Sequence, residues 1–258
     1  MNRICCMSVI KNIAAFKNWP LLYAGRYGFL RNEFEMIHRS GIRIKLRPNT
    51  DDLKIVKSNF VTMHYFRDFV PITKDSIVVD VGAHIGSFSL IAARSADRVL
   101  AYEPEPMNYQ MLKKNVELNH LKNLTIFEMA VSGSSGYQDI CAYVDGSTGS
   151  HSLYKKESNH MMKKRVQTIS LEDIIKREDL LRIDFLKLDC EGAEHDIFRK
   201  MSFDTATPIR SIAMEAHRVP QEFSIDIPAR LKELGFEVRT EHHGGYAYAK
   251  RNKPYPST

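Results

Sequence analysis

Three short segments of this 258-residue chain place acidic side chains or glycines where buried strands are expected to end. The first runs from Asp80 through Gly82 to Gly86, directly after a run of β-branched residues. The second is Glu103, about 20 residues after Gly82, and the third is centred on Asp189. Glycine turns let backbone N–H groups approach a ligand, and a carboxylate at the next strand end can accept both hydroxyls of a ribose. These segments together indicate a nucleoside site.

The spacing of the glycine turn argues against a dinucleotide as the ligand. Gly82 and Gly86 form G-x-x-x-G, whereas a dinucleotide pyrophosphate requires G-x-G-x-x-G. Asp80 precedes the turn, and an acidic side chain beside a phosphate would be unfavourable. A nucleoside with a positively charged amino-acid tail suits these residues better.

The third segment, residues 187–194, groups three carboxylates at the end of a strand that should be central in its sheet. They are Asp189, Glu191 and Glu194. Open α/β sheets bind ligands at this edge, which favours a functional role for Asp189. Glu191 and Glu194 can equally serve to stabilise the N-terminus of the following helix through its dipole.

Strands and helices alternate regularly from residue 76, which predicts a parallel sheet with helices on both faces. Residues 1–75 are expected to form an extension of helices and a short hairpin that packs on the main domain, residues 76–252. Residues 132–168 interrupt the alternation and are expected to be a loop-rich insertion with a strand pair. Two closing strands are expected after residue 235. Ser170 is expected to cap the helix that contains Asp173, and Pro104 is expected in the first turn of the helix that follows Glu103.

The amino-acid composition indicates the location and the kind of partner of the protein more than its reaction. No stretch approaches the ~18 apolar residues of a spanning helix, so no membrane span is expected, although peripheral association is compatible with the sequence. The four cysteines lack a C-x-x-C spacing and indicate a reducing, cytoplasmic location. The net charge of +6 is compatible with an anionic acceptor. His242 and His243 lack a nearby third ligand, so no metal site is expected.

The three segments resemble the motifs of the FkbM-family methyltransferases, enzymes of the class I fold that depend on S-adenosylmethionine. The resemblance covers roughly residues 76–240, and the 187–194 signature is its most specific part. Asp51 and Asp52 with Tyr65 resemble the usual lead-in. The chain departs from the family pattern at Cys190 and at residues 132–133, and the second departure leaves the adenine contacts open.

The resemblance implies an α/β fold, doubly wound around a mostly parallel sheet of the seven-stranded, Rossmann-like type. It implies S-adenosylmethionine as cofactor, with Glu103 on the ribose and Asp189 facing the methyl group. The cofactor site would consist of Asp80, Gly82, Ala83, His84, Gly86, Glu103, Pro104, Met129, Ala130 and Asp189.

The implied reaction is O-methylation of a hydroxyl on a glycan or another small molecule. Because a sulfonium methyl is already activated, the enzyme needs to align the acceptor oxygen and remove its proton. Asp189 is the first candidate for the base, followed by Glu191 and then His217. His217 can equally be an ordinary polar residue at a strand end.

Three other functions remain open at this point. An NAD-dependent dehydrogenase would require the glycine pattern that is missing. A nucleic-acid methyltransferase is favoured by the positive charge, but the sequence lacks the Asn/Asp-Pro-Pro-aromatic motif for flipped amines. A non-catalytic binding module on the same fold is the third alternative. The sequence does not indicate an oligomeric state.

Overall fold

A computed structural model describes residues 10–66, 71–143, 161–241 and 245–251. The helices are α1 (residues 10–15), α2 (Pro20–Arg26), α3 (Asp52–Lys57), α4 (Ser87–Ala93), α5 (Pro106–Leu118), α6 (Leu171–Arg177), α7 (Ala193–Lys200), α8 (Phe203–Ala206) and α9 (Ile227–Glu233). The strands are β1 (Phe34–Ile37), β2 (Arg43–Leu46), β3 (Ile77–Val81), β4 (Arg98–Tyr102), β5 (Leu124–Phe127), β6 (Ala130–Ser132), β7 (Gly136–Tyr143), β8 (Met161–Ser170), β9 (Phe185–Leu188), β10 (Ser211–Glu215), β11 (Glu237–Thr240) and β12 (Tyr246–Lys250).

Seven strands form the central sheet in the order β5-β4-β3-β9-β10-β12-β11. Every pairing is parallel except those of β12, which runs antiparallel to both β10 and β11. From β3 the strands β4 and β5 follow towards one edge of the sheet, whereas β9 and β10 follow towards the other edge. The sheet is therefore built outward from β3 in both directions. This is the class I arrangement expected from the resemblance, and the antiparallel closing strands are confirmed.

The two middle strands are buried on both faces, as parallel sheets covered by helices require. All four residues of β9 and four of the five in β3 are buried. Apolar side chains from the two faces join separate core clusters. Two of the buried side chains, Asp80 and Lys187, are charged and lie directly opposite each other in the register. The sheet therefore has an ionic pair at its centre.

The N-terminal extension shares a hydrophobic core with one face of the sheet. Phe16, Met36 and Ile44 cluster with Val78 and other sheet and helix residues. The β1–β2 hairpin is antiparallel, as expected. Its β2 edge docks on α5, where the side-chain amides of two asparagines bond the strand backbone, as in the 2.7 Å bond from the Lys45 N–H to Asn115 Oδ1. The boundary of this extension at residue 75 stays a prediction.

Three further strands form a second sheet, in the order β6-β8-β7. The antiparallel pair β7–β8 is the strand pair expected in the insertion. Residues 144–160 of the insertion lie outside the described residues. Ser170 caps α6 by accepting the Asp173 N–H at 3.1 Å, which confirms the predicted cap.

The start of α5 corrects one expectation. Pro104 was expected in the first turn of this helix, but the helix begins at Pro106. The Glu105 carboxylate caps it by accepting the Asn108 N–H at 2.7 Å. Pro104 therefore stays outside the helix. Among the described residues, no helix combines the length and apolar character needed to cross a bilayer.

Close contacts with neighbouring parts of the protein exclude side chains at the two glycines after β3. A Cβ on Gly82 would lie 1.8 Å from the Asp189 carbonyl oxygen, and its φ is +73°. Gly86 also has a positive φ, +89°, and packs against Leu112. Gly82 is thus required because the ends of β3 and β9 approach too closely for any side chain.

We predict that Gly82→Ala destabilises the protein more than Gly28→Ala does. Gly28 has the same φ of +73°, but a Cβ there would meet no atom closer than 3.9 Å. Conformational strain should cost both variants about 1–2 kcal/mol, whereas only Gly82→Ala adds a backbone clash. Urea unfolding measures the difference, and equal losses in the two variants would contradict the crowding at Gly82.

Candidate functional site

A cleft lies at the carboxyl ends of β3, β4 and β9, where the strand order turns back. Its walls come from the turns after these strands, from β6 and β7, and from the helical segment that begins at α3. The residues predicted from the sequence that line it are Gly82, Ala83, His84, Glu103, Pro104, Ala130, Asp189 and Glu191. The topological switch point of an open α/β sheet is the expected place for a ligand.

Four other predicted residues lie outside the lining of the cleft. Asp80 is fully buried beneath it, and Gly86 packs on α5. Met129 belongs to the hydrophobic core, with its sulfur 3.9 Å from the Arg177 guanidinium. His217 is absent from the lining and lies 3.8 Å from Asp189, measured from Nε2 to Oδ1. The cofactor contacts predicted for Asp80, Gly86 and Met129 stay predictions, and the structure places these residues behind the lining of the cleft.

Lys187 neutralises Asp80 in the interior of the sheet. Its Nζ lies 3.0 Å from Asp80 Oδ1 and donates to the carbonyl oxygens of Val81 and Gly82 at 3.2 and 2.6 Å. Ser89 donates to the other Asp80 oxygen. Burial alone would lower the pKa of Lys187, but the charges of Asp80 and Asp189 raise it above its ordinary value. The ammonium therefore stays charged and holds the ends of β3 and β9 together.

Glu103 is buried at the rim of the cleft, with 5% of its surface exposed. Oε2 accepts the His84 N–H at 2.8 Å, and Oε1 accepts the Glu105 N–H at 3.0 Å. Burial raises the pKa of Glu103 to about 7, despite these two donors. Each carboxylate oxygen can accept more than one hydrogen bond, so both remain able to accept a ribose hydroxyl.

Asp189 is held in position from three sides. The Tyr65 hydroxyl donates to Oδ2 at 2.8 Å, Lys187 Nζ lies 3.9 Å from the same oxygen, and His217 Nε2 lies 3.8 Å from Oδ1. Its side chain remains 29% exposed, so solvent and ligands can reach it. Burial and the charge of Asp189 raise the pKa of Tyr65 well above its ordinary value, which keeps this phenol a donor.

Three carboxylates surround the His217 ring and favour its protonated form. Its Nδ1 lies 3.1 Å from Glu194 Oε1, and its Nε2 lies 3.6 Å from Glu191 and 3.8 Å from Asp189. Burial opposes the charge, but these carboxylates, Glu194 first, raise the pKa of His217 to about 10. An imidazolium has no lone pair to accept a proton, so this raised pKa argues against His217 as the base at neutral pH, and its role stays a prediction.

Glu194 reaches back over the turn before α7. Its Oε1 accepts the Cys190 N–H at 2.9 Å and its Oε2 accepts the Gly192 N–H at 2.7 Å. This fully buried carboxylate stabilises the start of α7, which is one of the roles considered for Glu194 in the sequence. The same carboxylate is hydrogen-bonded to the His217 ring.

Glu215, at the end of β10, joins this cluster although no sequence pattern pointed to it. Burial and the nearby charge of Asp189 raise its pKa. Asp189, Glu215 and His217 are of the types that bind divalent metals, and their nearest ligand atoms lie within 4.8 Å of one another. A metal bound to this cluster would take the place of the proton on His217. His242 and His243, the pair discounted as metal ligands, lie outside the described residues.

The N-terminal extension adds two residues to which sequence reasoning assigned no role, Tyr65 and Asn59. Asn59 is 5% exposed and lines the cleft. One end of its amide donates to Ser87 Oγ at 2.6 Å, and the other end has no partner among the described residues. That end is the amide oxygen, and the ammonium group of a ligand would donate to it. The cleft thus fits the cofactor implied by the resemblance, with Glu103 at one end and Asn59 along its wall.

Comparison of the sequence with known proteins identifies similar methyltransferases. The family model of the methyltransferase FkbM domain matches residues 80–238. Methyltransferase sdnD of Sordaria araneosa is 26% identical over 218 residues, covering 72% of this chain and 83% of that protein. The 31-O-demethyl-FK506 methyltransferase FkbM of Streptomyces tacrolimicus is 25% identical over 211 residues, which cover 70% of this chain and 80% of that protein.

A solved structure, methyltransferase FkbM from Methylobacillus flagellatus KT, is also similar. It aligns with a TM-score of 0.48 and 19% sequence identity over 76% of this chain. The alignment spans 53% of the Methylobacillus chain, about half its length.

We predict that Lys187→Met lowers the free energy of unfolding by about 3–5 kcal/mol, because it leaves Asp80 charged and buried without its partner. Lys176→Met is the matched control, since Lys176 pairs with Glu172 on the exposed surface and should leave the stability nearly unchanged. Adding Asp80→Asn to Lys187→Met should recover part of the loss. Urea unfolding of the wild type, Asp80→Asn, Lys187→Met and the double variant gives the coupling energy, and additive effects would contradict the pairing.

Proposed function

This chain belongs to the FkbM methyltransferase family, and on that premise we propose that it methylates a hydroxyl oxygen of a glycan or another small molecule. S-adenosylmethionine is the cofactor and supplies a methyl group bonded to a positively charged sulfur. Methyl transfer follows from the family. The oxygen as the acceptor atom and the class of acceptor are the proposal.

We assign the cofactor contacts to residues that line the cleft. Glu103 would accept the ribose hydroxyls, and Ala130 would lie beside the adenine. The unpartnered end of the Asn59 amide would bond the amino-acid part. Asp80 and Lys187 would act from behind this wall, because they fix the turn that carries Gly82.

The position of Asp189 is the observation that carries the proposal. A hydroxyl must lose its proton as it attacks the methyl group, so an oxygen acceptor needs a base within hydrogen-bond reach. Asp189 lines the cleft and is partly exposed, and Tyr65 and Lys187 orient it. Glu191 also lines the cleft and remains the second candidate for the base. Because His217 is protonated, it would instead hold these carboxylates in place.

One relative supports an oxygen as the acceptor atom. The Streptomyces tacrolimicus enzyme is named for a substrate, 31-O-demethyl-FK506, that lacks a methyl group on an oxygen. The identity of 25% supports the kind of reaction and leaves the acceptor of this chain to experiment.

We predict that S-adenosylhomocysteine binds more weakly as the pH falls through about 7, the pKa of Glu103. The ionised carboxylate accepts hydroxyl hydrogen bonds more strongly than the protonated acid does. Calorimetry at pH 6 and pH 8.5, two values on either side of about 7, should show this trend for the wild type.

Glu103→Gln provides the test of that assignment. It should weaken binding about tenfold at the higher pH and remove the dependence on pH. Glu128→Gln, the same change at an exposed position after β5, should keep the wild-type profile. A pH dependence that survives in Glu103→Gln would show that another group titrates.

We predict that Asp189→Asn slows methyl transfer by ~10²–10⁴ and leaves the affinity for S-adenosylhomocysteine within a few-fold of wild type. The substitution is nearly isosteric and can still contact Tyr65. Asp184→Asn is the matched control, because Asp184 precedes the same strand at its opposite end and should leave the rate unchanged.

The acceptor is found by incubating the enzyme with methyl-labelled S-adenosylmethionine and a panel of sugars, hydroxylated small molecules, amines and RNA. We expect label on a hydroxyl oxygen of a small molecule, and the label should disappear with Asp189→Asn. Methylated RNA or a methylated amine would overturn the proposed acceptor class. A normal rate for Asp189→Asn would remove Asp189 as the base.

A further inference from the structure

A second cavity, of about 660 Å³, lies within the N-terminal extension and away from the cofactor contacts. This volume is typical of a small-molecule site. The cavity shares a wall with the cleft, because one face of the α3 segment contributes Ile55 and Asn59 to the cleft. The neighbouring positions Lys54, Lys57 and Ser58 line the cavity instead.

The charge of this cavity has one sign. Arg26, Arg47, Lys54 and Lys57 line it, and its described lining contains no carboxylate. Arg47 uses Nε and Nη2 to bind Asp52 at 2.9 and 2.7 Å, whereas Nη1 has no partner among the described residues. Burial, together with the charge of Arg26, lowers the pKa of Lys57, as expected where cations crowd together. An anion would relieve this repulsion.

Asn12 adds a second kind of contact. Its side chain is 2% exposed and lines the cavity, and Nδ2 lies 3.3 Å from the Tyr23 hydroxyl. Its Oδ1 has no partner among the described residues. A buried amide oxygen without a donor is costly, and a ligand hydroxyl would satisfy it. The cavity therefore offers donors for an anion and an acceptor for a hydroxyl.

A short chain of contacts connects the wall of the cavity with the carboxylates of the candidate active site. His64 lines it, and its ring stacks on Tyr246 with centroids 4.8 Å apart. The Tyr246 hydroxyl interacts with both Ser58 and Glu215. The next residue, Tyr65, donates to Asp189. A ligand seated in the cavity and extending past His64 would approach these carboxylates.

We propose that this cavity binds the acceptor, and that the acceptor is an acidic sugar or a similar molecule with both an anionic group and free hydroxyls. The proposal rests on the proposed function, because it names the class of molecule that the enzyme methylates. The cations lining the cavity hold the anionic group, while Asn12 bonds a hydroxyl. The hydroxyl to be methylated extends towards Asp189.

The test measures binding of three probes, glucose 6-phosphate, glucuronate and glucose, to the full chain saturated with S-adenosylhomocysteine. We expect at least one of the two anionic probes to bind about tenfold more tightly than glucose. The two anionic probes distinguish a phosphate from a carboxylate as the preferred group. Equal binding of all three, or no binding of either anion, would overturn the proposal.

Two variants test whether the anionic probe binds in this cavity. Asn12→Asp adds a negative charge with almost no change in shape, and Lys57→Gln removes a positive one. Each should weaken the anionic probe about tenfold while leaving the affinity for S-adenosylhomocysteine unchanged. Lys122→Glu, an exposed position elsewhere on the surface, is the control and should have no effect. If the cavity variants bind the anion as the wild type does, the site is elsewhere.

The outcomes separate this inference from the proposed function. If an anionic probe binds in the cavity but active enzyme puts label on nitrogen or carbon, the cavity stands and oxygen transfer fails. If hydroxyls of neutral molecules are methylated while the cavity variants stay fully active, oxygen transfer stands and the cavity proposal fails.

Discussion

A buried ammonium group needs a compensating negative charge. In this protein the pair that meets this need, Lys187 with Asp80, links the two strands whose ends form the candidate site. Lys187 on β9 meets Asp80 on β3, and its remaining hydrogen bonds go to the carbonyl oxygens of Val81 and Gly82. The strand ends are thereby drawn so close that only glycine fits opposite the Asp189 carbonyl. The charge pair thus sets where the glycine turn and Asp189 stand relative to each other.

The cofactor and acceptor sides of the cleft follow from this arrangement. The turn after β3 presents the His84 N–H to Glu103, which keeps that carboxylate at the rim. On the other side, Asp189 belongs to a cluster of carboxylates in which protonated His217 supplies positive charge. The N-terminal extension completes the site with Tyr65, and the same segment forms the wall of the cationic cavity. We therefore regard the extension as part of the active unit.

Local patterns in the sequence were enough to predict the sheet, because buried parallel strands are apolar runs and the turns between them carry glycines and capping residues. The positions of Glu103 and Asp189 at strand ends were predictable for the same reason. Roles that depend on contacts between distant parts of the chain were not. Asn59 belongs to no motif, the crowding at Gly82 comes from a residue more than 100 positions away, and the charge of His217 depends on carboxylates from another strand end.

The central claim is that one ligand spans Glu103 and Asp189 across the ends of β4, β3 and β9. A crystal structure of the chain with S-adenosylhomocysteine tests it most directly. We expect the ribose hydroxyls on the Glu103 carboxylate, the amino-acid part near Asn59, and the sulfur turned towards Asp189. Electron density for the ligand that does not contact Glu103, or a sulfur turned away from Asp189, would contradict the account.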